Sequence, residues 1–114
     1  MIIKIPIELT ISRLDVLLES CQIALKTKNI FSNGRSSSRD DTLLVQQWIM
    51  LSDKLAKKRM SVQLNPPKKQ TFKLKLKYAE AYYLIHALRI AFVRQTGYSE
   101  TINMNIQMEI EKKL

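Results

Sequence analysis

Glycine and proline are scarce in this chain, two and three residues of 114, against the roughly one in eight of average usage. So few turn formers leave little sequence for loops, and long elements joined by short connections follow. There is one cysteine and one histidine. Cys21 cannot form an internal disulfide, and its apolar periodic surroundings predict a buried, reduced thiol in a reducing, cytoplasmic compartment. With a single residue of each kind, a structural zinc site of Cys and His ligands lacks its parts, as does a Ser-His-Asp or Cys-His catalytic group. The two glycines, Gly34 and Gly97, cannot build a Gly-rich phosphate loop. No nucleotide cofactor, other cofactor or small-molecule substrate is therefore identified, and the chain is expected to be non-enzymatic.

Long apolar runs are missing too. The most apolar stretch, Ala81 to Val93, is interrupted by His86 and Arg89 and falls short of the ~20 residues that cross a bilayer. The first dozen residues lack the basic head and small-residue cleavage site of a secretory signal. No membrane association is expected.

The most telling absence is of acidic residues between Asp53 and Glu80. Nineteen basic against ten acidic residues give a net charge of +9. Nine of the cations, Lys54, Lys57, Lys58, Arg59, Lys68, Lys69, Lys73, Lys75 and Lys77, lie in that interval, so the remainder is formally neutral. Segment 54–77 could present a positive face to a polyanion, with Lys68, Lys69, Lys73, Lys75 and Lys77 as the candidate binding residues. Two plainer explanations compete. Cations in the last turns of a helix offset its macrodipole, and lysines on an edge strand discourage aggregation. Eight of the nine are lysine, which argues against the bidentate base recognition that favours arginine.

What is present reads as an α+β chain: a two-stranded antiparallel ribbon, with a third strand as an alternative, packed with three to four helices in a single domain over 1–114. Ile3, Ile5, Ile7 and Leu9 alternate with Lys4, Pro6 and Glu8, predicting a first strand over 2–7 that Pro6 confines to an edge. Thr10, or Ser12 with Asp15 three residues on, can cap a helix to about Lys28. Residues 29–41, with Asn-Gly and three serines, predict a flexible loop. Leu44, Trp48, Leu51 and Leu55 mark a second helix to about Met60, with Trp48 as a core anchor. After Pro66 and Pro67, QTFKLKLKY is the clearest strand, expected to pair with the first. A nearly all-apolar, central helix from Tyr78 to about Gln95 follows, with Gly97 as its C-terminal cap and Tyr82 and Tyr83 packed inward.

The final segment fits two periods. Ile102, Met104, Ile106, Met108 and Ile110 alternate as in a strand, which would turn Glu109 and Glu111 toward the strand lysines. Ile102, Ile106, Ile110 and Leu114 are also spaced by four, and helix is favoured. The Glu109, Glu111 and Lys113 string and the adjacent Asp40 and Asp41 are conceivable metal-binding groups, with a solvated terminal face and helix capping as ordinary explanations. Taken together, these features suggest a small protein-interaction or assembly module with a protein partner or self-association, such as an isologous dimer through Met104 and Met108. The alternative is an accessory protein binding nucleic acid non-specifically through segment 54–77.

Overall fold

The computed structural model describes residues 4–31 and 39–114. It is α+β, with elements in the order β1 (Lys4–Leu9), α1 (Ile11–Phe31), α2 (Arg39–Leu64), β2 (Phe72–Lys77), α3 (Tyr78–Phe92) and α4 (Tyr98–Lys113). The two strands pair antiparallel, with Ile5 opposite Leu76 and Ile7 opposite Leu74. The alternation in the sequence becomes a two-faced ribbon. Ile5, Ile7, Leu9, Leu74 and Leu76 are buried, while Lys4, Pro6, Glu8, Lys73, Lys75 and Lys77 point outward.

Helix α1 starts where the Thr10 hydroxyl accepts the Arg13 backbone N–H at 3.2 Å. The alternative cap at Ser12 is unused, and Asp15 instead accepts the Arg59 guanidinium at 3.0 Å. The first helix continues through Phe31 and the second begins at Arg39, so both ends of the expected 29–41 loop are helical. Its remainder, 32–38, lies outside the described residues. Helix α2 passes Met60 and ends at Leu64, just before Pro66 and Pro67, because the residue ahead of a proline is driven out of the helical region. Its last turn therefore holds no cation, and the macrodipole does not account for Lys54, Lys57, Lys58 and Arg59.

Helix α3 is central, touching α1, α2, α4 and both strands. Ala81, Leu84, Ile85, Ala87, Leu88 and Ala91 are all buried, which matches its all-round apolarity. Trp48 has no exposed surface, and its indole N–H donates to the Tyr83 carbonyl at 2.9 Å, pinning α2 to α3. Gly97 does not close α3, which ends at Phe92. It is the N-cap of α4, with φ 63° and ψ −124°.

The terminal segment is helix, with no third strand among the described residues. Ile102, Ile106 and Ile110 face the core, and Met104 and Met108 lie on the opposite, exposed side. Between α1, α3 and α4 runs a buried polar chain that the apolar patterning did not reveal. Gln107 donates to Asn103 (2.6 Å), Asn103 to Gln95 (2.6 Å) and to the Leu88 carbonyl (2.9 Å), and Gln95 to the Ser20 hydroxyl (3.1 Å).

Candidate functional site

The ribbon's outer face gathers the charge. Across the strands Lys4 faces Lys77, Pro6 faces Lys75 and Glu8 faces Lys73. These pairs do not exchange backbone hydrogen bonds, because their N–H and C=O groups point to the two free edges. On β1 the Glu109 carboxylate accepts the Glu8 N–H at 3.3 Å, and Lys113 donates to the Pro6 carbonyl at 2.5 Å. On β2 Lys54 donates to the Lys75 carbonyl at 3.1 Å. Opposed residues of that kind bring their side chains closest together. Four lysines and one carboxylate thus share a small two-stranded surface, all exposed to solvent.

The acidic residues that could have neutralised them are committed elsewhere. A terminal strand would have projected Glu109, Glu111 and Lys113 together, but the helix turns Glu111 away from the other two. Glu109 binds Arg13 at 3.0 Å and sits 3.6 Å from Lys113, while Glu111 turns away to Arg89 at 2.6 Å. Glu80, the nearest carboxylate in sequence, is held inside the scaffold. It accepts Lys54 at 2.9 Å and the Lys77 N–H at 2.8 Å, capping α3. Partial burial pushes its pKa up, yet the Lys77 N–H and the Lys54 ammonium outweigh that and keep it below the usual carboxylate value.

Of the sequence-derived candidates, Lys73, Lys75 and Lys77 come together on this face. Lys68 and Lys69 are exposed in the connector that enters β2. Lys54 and Lys58 do not join the free charge. The first is tied to Glu80, and the second lies 5.6 Å from the centroid of the half-buried Phe72 ring.

Aromatic placement departs from expectation. Tyr83 is half-buried against the core, but Tyr78 and Tyr82 are 57% and 51% exposed. They lie one turn apart at the start of α3, which follows directly on Lys77 of the lysine face. Tyr82 also meets His86 edge-on, with ring centroids 4.7 Å apart. The lysine alternation was visible in the sequence. The exposure of Tyr78 and Tyr82, expected to pack inward, was not visible, because an apolar helix gives no sign of which side its neighbours leave uncovered.

Cys21 lies in the core, where burial pushes its thiol up to about 12. No three His, Cys, Asp or Glu side chains gather among the described residues, and the side chains of Asp40 and Asp41 lie outside them. Among the described residues, shallow depressions open to solvent beside Met50, Asp53, Lys54 and Lys57 (about 370 Å³) and beside Gly97 and Met104 (about 430 Å³). No described helix is long and apolar enough to cross a membrane. No family model matches the chain, and no match is found among curated proteins or solved structures.

Proposed function

We propose that the protein is a non-enzymatic, cytoplasmic binding module that holds single-stranded nucleic acid on the outer face of its ribbon without reading sequence. One observation carries this reading: Lys4, Lys73, Lys75 and Lys77 occupy adjacent outward positions with Glu8 as the sole carboxylate among them. Point-like ammonium groups on flexible stems suit phosphates, whose spacing varies along a flexible strand, better than they suit base edges. Tyr78 and Tyr82 add stacking surfaces, which every base can use. The deeply buried, protonated Cys21 supports a binding role over nucleophilic chemistry.

Fluorescence anisotropy with short labelled oligonucleotides, over a series of salt concentrations, tests it. For single strands the logarithm of affinity falls with the logarithm of salt by about 0.7 per phosphate neutralised, so four lysines predict a slope of roughly −3. Lys73→Gln, Lys75→Gln and Lys77→Gln together should flatten that slope to about −1. Tyr78→Ala with Tyr82→Ala should weaken binding by about tenfold or more at unchanged slope. Absence of binding at ~50 mM salt, where such contacts are strongest, overturns the reading.

A further inference from the structure

Helix α2 is buried along Trp48, Leu51, Leu55 and Val62, yet its far side is not the polar surface expected of a helix packed on one face only. Met50 and Met60 are each 63% exposed and Leu64 75%, with Ile49 and Leu43 near half. Positions 43, 46, 50, 53, 57, 60 and 64 are separated alternately by three and four residues. This is the spacing of a helix-pairing seam, reading Leu, Gln, Met, Asp, Lys, Met, Leu.

We propose that a second copy of this chain packs on this seam, the two α2 helices running antiparallel about a two-fold axis. The seam fits its own inverted copy. About the midpoint at position 55, Met50 faces Met60 of the other copy, Asp53 faces Lys57, and Gln46 faces Leu64. Each layer then joins the two alternating classes of seam position, as antiparallel helix pairs require. At the centre two Asp53–Lys57 pairs form, related by the axis. A two-fold contact demands that every residue find its complement in the same patch, and a seam of one charge sign would fail that demand.

The charges available support this occupant. Lys54 and Arg59 on the same helix are engaged by Glu80 and Asp15. Asp53 and Lys57, both exposed, have no ion-pair partner among the described residues. Next to the axis, Ala56 is exposed and small enough for close approach. On the opposite flank the Lys54 ammonium is drawn off to Glu80 and the Lys75 carbonyl, so it does not oppose its own copy across the axis. The seam spans 19 residues from Gln46 to Leu64, about 27 Å of helix. Methionines at its two main apolar layers can adjust to one another. The proposal concerns a surface other than the ribbon and stands apart from nucleic-acid binding.

Sedimentation equilibrium without nucleic acid, over about 10 to 300 µM protein, tests it. The wild-type mass should rise toward twice 13.3 kDa. Asp53→Lys alone places two cations against two cations and Lys57→Asp alone places anions against anions, so each should weaken association by about tenfold or more. An equimolar mixture of the two variants should associate again, because each supplies what the other lacks, and the double exchange within one chain should also associate. Both positions are exposed, so far-UV circular dichroism should be unchanged. A wild-type mass of 13.3 kDa throughout, single variants that associate as tightly as wild type, or a mixture that stays monomeric would each overturn the proposal.

Discussion

Asn103 donates to the side chain of Gln95 at 2.6 Å, and through that bond α4 is joined to the turn leaving α3 and onward to Ser20 of α1. The amide is fully used. Its nitrogen also reaches the Leu88 carbonyl, and its oxygen accepts Gln107. No buried side-chain N or O among the described residues lacks a partner. A buried network of this kind is favourable only while complete.

Asn103→Ala should therefore cost more than the loss of one average hydrogen bond. It strands the Gln95 oxygen and the Gln107 nitrogen in a buried site and takes from the Leu88 carbonyl the second of its two bonds, the first being that of the helix, and a loss of roughly 2–4 kcal/mol is expected. Urea unfolding followed by Trp48 fluorescence reads this directly, since Trp48 is the sole tryptophan and lies in the core. The pair Asn103→Ala and Gln107→Ala should cost less than the sum of its parts, because the second substitution removes a donor that the first has already stranded.

Glu80 predicts a pH signature. Its pKa is held below the ordinary carboxylate value by the Lys77 N–H and the Lys54 ammonium. The unfolded chain therefore takes up a proton first as pH falls, and the contribution of Glu80 is complete above the unfolded value and lost as pH descends through the folded one. Glu80→Gln should cost on the order of 1 kcal/mol near neutral pH, through the lost ion pair and weakened α3 cap. The gap between variant and wild type should narrow on acidification. A gap of constant size from neutral to acid pH would mean that the carboxylate charge adds nothing.

How much of this was legible depended on whether local pattern and tertiary need agreed. The KLKLK alternation of β2 admits one reading, and the ribbon follows it. The final segment satisfied both periods, and the reason helix prevails lies at the far end of the chain. A third strand on β1 would meet Pro6, which has no N–H to donate, whereas helix α4 brings Glu109 and Lys113 to that same edge and satisfies it. The lysine face was legible by composition. Its freedom from neutralisation was not, because it depends on Arg13 and Arg89 capturing Glu109 and Glu111 from distant helices.

Cys21 should be inert in the folded protein. Burial raises its thiol from the ordinary 9.0 to about 12, so neither access nor thiolate is available. A disulfide reagent should label it only at the rate of unfolding, accelerating with urea in step with the loss of Trp48 burial. The same burial makes stability fall at high pH. The unfolded thiol ionises above about 9.0 while the folded one stays protonated to about 12, so the unfolded state gains between those values. Cys21→Ala should remove that part of the alkaline decline, at the cost of a small cavity.

Gly97 separates backbone strain from side-chain crowding. A Cβ added there would meet no atom within 4 Å, so an added methyl group has room. The backbone forbids it. With φ 63° and ψ −124°, the residue lies in a region that L residues rarely enter. Gly97→Ala should therefore lose roughly 1–3 kcal/mol by strain alone, or shift the start of α4 to relieve it. Asparagine tolerates the left-handed helical region, where ψ is about +30 to +60°, but Gly97 is far from that ψ. Gly97→Asn should be as costly as Gly97→Ala in urea unfolding. Near-complete rescue by asparagine would show instead that the turn rests in the ordinary left-handed region, and that Asn103 can hold Gln95 without a glycine at the head of α4.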